Sequence, residues 1–163
     1  MKITQLLRGI ILTAMLLPLS ANSSTNGQTA IAEAEIKKLF SGYMGKYNHY
    51  IAQGVLPENP DLYADNLVVM SSARDATSVT SDEMYRQVTV FLDSLKSKGV
   101  KSVTWESVDI TLLDSNLALA SNVAVRFDEK GETLSRVGAT YFLNKIKNEW
   151  RITAFAVHNP DYR

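Results

Sequence analysis

The sequence predicts a single α+β domain, with helices first and an antiparallel meander of strands after them, the helices laid on one face of the sheet. Three observations carry this. The chain has 163 residues, 45% of them apolar, which is enough for one domain with a real core. Residues 29–53 and 80–98 repeat their apolar side chains at helical spacing. After Gly99 the sequence is a series of β-rich runs broken by turn sequences.

Residues 1–21 read as an address rather than as part of the fold. Lys2 and Arg8 lead into an apolar run, residues 9–19, about half of the roughly 20 residues that span a bilayer. Small residues follow, so a signal peptide cleaved between Ala21 and Ser23 is expected, and with it export to a periplasmic or secreted location. The competing reading is a retained membrane anchor, which the short run disfavours. Residues 22–29 are small and polar, a flexible entry to a domain that occupies 30–163.

In the first helical segment Ile36, Leu39, Phe40, Tyr43, Met44, Tyr47, Tyr50 and Ile51 share one face, and Gly54 suits its C-terminal cap. Pro57 and Pro60 break the chain into a loop; residues 61–64 can make one helical turn, and 67–70 read as a strand. Thr80 followed by Glu83 is a capping box. It opens a helix with Met84, Val88, Phe91, Leu92 and Leu95 on one face, ended by Gly99. Runs 100–113, 116–127, 133–143 and 150–158 then form strands joined by hairpins at 114–115, 128–131 and 145–148.

Hairpins with even-numbered loops preserve side-chain parity, so one face can be registered from the sequence. Tyr141, Ala139 and Val137 share it with Ile152, Ala154, Ala156 and His158, and with Ala118, Ala120, Asn122, Ala124 and Arg126. The last hairpin adds Trp105, Ser107 and Asp109, or Val108 and Ile110 if a bulge intervenes. Alanines on this face either admit a close helix or leave a hollow. Asn122, Arg126, Tyr141 and His158 among them favour a hollow, because buried polar groups need partners and a mostly apolar concavity with a few polar groups suits a small molecule.

The rest of the composition excludes chemistries. Seventeen basic residues balance seventeen acidic ones, against a nucleic-acid binder. The absence of cysteine removes disulfides, thiolate metal sites and lipid anchors, and two histidines leave little for a metal site. No phosphate loop, His-Glu-x-x-His helix or Gly-x-Ser-x-Gly elbow occurs, and no metal or cofactor is implied.

With Tyr63-Ala64-Asp65 before the first strand and Trp150-Arg151-Ile152 opening the last, the layout resembles the nuclear transport factor 2-like superfamily, in its SnoaL-like and ketosteroid-isomerase-like branches, over residues 30–158. The resemblance implies a cone-shaped α+β barrel, with N-terminal helices packed in a curved, mainly antiparallel sheet and a pocket in the mouth of the cone, and homodimerisation through the outer sheet face, where Phe142, Phe155 and Val157 are expected. Ketosteroid isomerases need an oxyanion-stabilising tyrosine, a carboxylate base and a protonated aspartate. Those positions fall on Tyr47, Ser71 and Ala139. Serine is no base at neutral pH without an activator and alanine donates nothing, so that mechanism does not carry over.

The expected ligand-binding residues are therefore Tyr47, Trp105, Asn122, Arg126, Tyr141 and His158. The ligand is a small, partly apolar molecule, and an acid if Arg126 faces it. Each has an ordinary alternative: Tyr47 as a core phenol, Arg126 paired with Asp128 or Glu129, His158 bonded at the sheet edge. Two other functions fit the same sequence. One is a SnoaL-like cyclase, hydratase or isomerase using His158 and Tyr47 with Asp109. The other is a protein-interaction module whose cone is filled by side chains.

Overall fold

The computed structural model describes residues 22–162. The N-terminal apolar run and most of its expected cleavage region lie outside the described residues. The elements are α1 (Asn22–Gln53), β1 (Tyr63–Ser71), β2 (Arg74–Thr80), α2 (Ser81–Ser97), β3 (Ser102–Leu112), β4 (Leu117–Phe127), β5 (Thr133–Ile146) and β6 (Glu149–His158). Six strands form one sheet in the order β2-β1-β6-β5-β4-β3. β1 lies parallel to β6, and every other neighbouring pair is antiparallel. The sheet does not close: β2 and β3 remain edges, so the expected barrel is an open α+β sheet with both helices on one face.

The eight apolar residues expected on one face of α1 are all buried, and Ile36 and Phe40 are fully enclosed. Burial of each large apolar side chain stabilises the fold by about 1.5–3 kcal/mol. Polar side chains fix where the helix lies. Glu35 accepts from Lys145 Nζ at 2.7 Å and Trp150 Nε1 at 3.0 Å, and the Lys145 bond holds its carboxyl below the usual range. Asn48 bonds Val103 twice, Nδ2 to the carbonyl at 2.8 Å and Oδ1 from the amide at 2.9 Å, doing for edge strand β3 what a neighbouring strand would do. Gly54 closes the helix in the left-handed region at φ 76°. The helix begins at Asn22, ahead of the helical spacing that the sequence shows from residue 29.

Lys46 is almost wholly buried in α1, yet its ammonium has partners. Nζ donates to the carbonyls of Glu58 and Pro60, each at 2.8 Å, and lies 4.5 Å from the Tyr85 ring centroid. That clasp holds the loop 54–62 on the helix. Gly42 makes the close approach possible, since a Cβ there would meet Pro60 Cγ at 2.5 Å. Thr80 caps α2 by accepting from Glu83 N, as the capping box predicts. Two expectations change in this region. Tyr63 and Ala64 begin β1 rather than closing a helical turn, and β2, Arg-Asp-Ala-Thr-Ser-Val-Thr, is a strand that sequence patterning does not reveal because most of its side chains are polar and exposed.

The β4–β5 register is the one read from the sequence, with Asn122 opposite Ala139 and Ala120 opposite Tyr141. Two bulges alter the rest. In β3 the partners step from Ala124 to Val123 while the strand advances from Trp105 to Ser107, so Glu106 is the extra residue. Trp105 and Val103 face the helices, and beyond the bulge so do Val108, Ile110 and Leu112. In β6 Thr153 is extra: Leu143 faces Ile152, but Phe142 faces Ala154 and Tyr141 faces Phe155. A two-residue turn, Lys147 and Asn148 with φ 50° and 66°, joins β5 to β6 in place of the expected four-residue loop.

Candidate functional site

A cavity of about 780 Å³ opens between the inner sheet face and the two helices. That volume is within the ordinary range of small-molecule sites. Tyr43, Met44 and Tyr47 of α1 form one wall, and Met84, Val88 and Phe91 of α2 another. The sheet contributes Trp105, Arg126, Ala139, Tyr141 and Phe155. Phe40 holds the aromatic floor, with its ring 5.7 Å from Trp105 and 5.1 Å from Tyr141. The Trp105 indole N–H donates to the Phe40 carbonyl at 2.8 Å, so this wall cannot rotate freely.

Arg126 is half-buried in the cavity wall. Its Nη1 donates to Ser135 Oγ at a long 3.4 Å, and its guanidinium carbon lies 5.4 Å from the Phe91 ring centroid. Burial draws its pKa down, while nearby Tyr43 and Tyr47 act in the opposite sense. A guanidinium keeps its charge at neutral pH. Among the described residues no carboxylate pairs with it. Asp128 accepts instead from the turn amides of Lys130 and Glu132, and Glu83, near the cavity opening, is engaged by Gln87 and Arg86. Arg86 and Glu83 offset each other in an ion pair at 2.6 Å, so exposed Arg74 leaves the cavity lining one further positive charge, the same sign as the anchor.

Tyr43 donates to Tyr47 at 2.8 Å, and their rings lie 4.4 Å apart. Burial raises the ionisation of Tyr43, and raises Tyr47, Tyr63 and Tyr141 well above the ordinary phenol value. These groups remain neutral phenols at any physiological pH.

Of the six expected ligand residues, Tyr47, Trp105, Arg126 and Tyr141 meet on this cavity. Asn122 faces the same side but is fully buried beyond the cavity surface. His158 does not join them. The Thr153 bulge turns Ala154, Ala156 and His158 to the outer face and brings Phe155 and Val157 inward. His158 bonds Thr140 Oγ1 at 3.1 Å and the Asn159 carbonyl at 2.8 Å, and Gly138 opposite leaves room for its ring. The Glu106 bulge likewise puts Asp109 on the outer face, opposite Ser121. Tyr47 is thus separated from His158 and Asp109 by the sheet. Ser71, at the end of β1, lines a separate rim hollow with His158 and Arg136. Of the apolar outer-face residues expected at a dimer contact, Phe142 is there and exposed, whereas Phe155 is buried inside.

Residues 33–160 match the family described as "NTF2-like protein (DUF6841)". The chain belongs to this NTF2-like family. No curated protein matches its sequence. Among solved structures, an NTF2-like protein of unknown function from Shewanella oneidensis has 15% identity and a TM-score of 0.57, covering 78% of this chain and 99% of its own. An NTF2-like protein with a cystatin-like fold from Novosphingobium aromaticivorans has 12% identity and a TM-score of 0.59, covering 90% and 94%. A ketosteroid isomerase-like protein from Erwinia carotovora atroseptica has 16% identity and a TM-score of 0.50, covering 77% and 93%. At these identities the likeness is one of fold.

Sequence reading misses several cavity residues of this NTF2-like protein, and some were within reach. Val90 is a large apolar residue off the Met84, Val88, Phe91, Leu92 and Leu95 stripe of α2, where a helix that buries only one stripe has no use for it, and it lines the cavity. Phe155, Val157 and Arg74 have no such signal, because their placement depends on a bulge and on a polar strand.

Proposed function

We propose that this NTF2-like protein binds a small, mostly apolar carboxylic acid, with its hydrocarbon part against Tyr47, Trp105, Tyr141 and Phe91 and its carboxylate on Arg126. One observation carries the reading: a half-buried guanidinium in an apolar cavity, held by one long hydrogen bond and paired with no carboxylate among the described residues. Guanidinium presents paired donors that match a carboxylate, and low local polarity strengthens the attraction. The positive charge of Arg74 in the cavity lining favours the same ligand charge. Binding is preferred to acid–base catalysis because Tyr47 lies across the sheet from His158 and Asp109. The sequence of residues 1–21 supports export, and exposed Phe142 supports a homodimer through the outer face.

Native and denaturing mass spectra of protein recovered from the exported fraction test the reading. A non-covalent adduct that vanishes on denaturation, extracts as an acid and is lost in Arg126→Gln supports it. An adduct retained undiminished in Arg126→Gln overturns the anchor.

A further inference from the structure

Asn122 is fully buried, and neither its Oδ1 nor its Nδ2 has a hydrogen-bond partner. Its neighbours on the inner face are apolar: Ala120 and Ala124 along β4, Val108 and Ala139 across from it. Trp105 and Tyr141 are rooted on the strands either side of β4, opposite Ala124 and Ala120, and their rings approach to 6.3 Å over the strand. They cover Asn122. A buried amide without partners destabilises the fold, a cost that a leucine of similar shape would not incur. Folds tolerate such a cost where function requires the group.

The position of Asn122 indicates what it would meet. Ala124, Ala139, Trp105 and Tyr141 all belong to the cavity wall, so the amide lies one side-chain layer beyond the cavity. Arg126 is four residues along the same strand face, about 13 Å away at strand spacing. We propose that Asn122 is a covered polar subsite that accepts an uncharged hydrogen-bonding group at the far end of the ligand, reached when the Trp105 indole gives up its hydrogen bond to the Phe40 carbonyl and its ring parts from that of Tyr141. This rests on the reading of Arg126 as the acid anchor and narrows the ligand class to apolar acids with a second, neutral polar end, a hydroxyl, carbonyl or amide. The amide offers both a donor and an acceptor, so it matches any of these.

Calorimetric titration with decanoic acid and 10-hydroxydecanoic acid, on the wild type and on Asn122→Leu, tests the proposal. The hydroxy acid is expected to bind the wild type about tenfold tighter than decanoic acid. Asn122→Leu is expected to abolish that preference, leave decanoic acid within about twofold and raise the Tm of the unliganded protein. Equal affinities of the wild type for the two acids overturn the subsite without any variant, as does a preference that survives in Asn122→Leu. If both acids bind, need Arg126 and are not distinguished, only the subsite falls. If neither binds, the acid-binding reading falls and the subsite with it.

Discussion

The buried phenols of Tyr43, Tyr47, Tyr63 and Tyr141 make the stability of the domain depend on alkali. In the unfolded chain each ionises near the ordinary value of 10.0, and burial holds each above it in the fold. The folded value is the higher one, so the associated stability is complete below pH 10 and declines as pH rises beyond it, where the unfolded chain has lost protons that the fold retains. Each phenol kept neutral costs about 1.4 kcal/mol of stability per pH unit above that point, and four cost about 5–6 kcal/mol per unit. The decline continues for each phenol only until its own folded value is reached. The assay is an alkaline titration that follows tyrosinate absorbance and far-ultraviolet circular dichroism together. The four phenols should ionise only as the dichroism is lost. Tyr63→Phe, which deletes a hydroxyl with no hydrogen-bond partner, should cost less than about 1 kcal/mol at neutral pH and reduce the alkaline slope by one phenol. Full tyrosinate absorbance near pH 10 with native dichroism would refute the burial of these groups as the cause.

Other perturbations probe how the cavity is held. Asn48→Ala removes both hydrogen bonds to Val103 and should destabilise the protein by about 2–4 kcal/mol in denaturant unfolding, with faster exchange of the Val103 amide. Lys46→Met leaves the Glu58 and Pro60 carbonyls without their donor and should cost a similar amount, with proteolytic cleavage appearing first in the 54–62 loop. Gly138→Ala places a Cβ 2.6 Å from the His158 ring and should cost about 1–3 kcal/mol and shift the His158 ring resonances. It should leave decanoic acid binding within about twofold, because His158 is on the far face of the sheet.

Much of this fold is legible in the sequence. Both helices follow from apolar spacing and from the Thr80 and Gly54 caps, and the β4–β5 register follows from loop parity. Parity holds only while every strand keeps one residue per step. The extra residues Glu106 and Thr153 each reverse the facing of the strand beyond them, which moves Asp109 and His158 outward and Phe155 inward. Neither residue type marks a bulge, so nothing local announces the change. The same reversal splits the alanine face: Ala120, Ala124 and Ala139 remain inside, whereas Ala154 and Ala156 face out. Tyr47, Arg126 and Tyr141 are readable on the cavity wall because they stand on α1 or on the β4–β5 pair, whereas Trp105 keeps its expected facing because the Glu106 bulge offsets a three-residue turn, 114–116, in place of the expected two. The polar strand β2, and with it Arg74, carries no apolar alternation from which to be recognised.

The central claim is that an apolar acid is anchored by Arg126, and paired titrations of decanoic acid and decanol against the wild type and Arg126→Gln test it most directly. A charge-assisted hydrogen-bond pair is worth about 1.5–3 kcal/mol, so the variant should bind decanoic acid about ten- to hundredfold more weakly and decanol almost unchanged. Equal losses for the acid and the alcohol, or no loss for either, would contradict it.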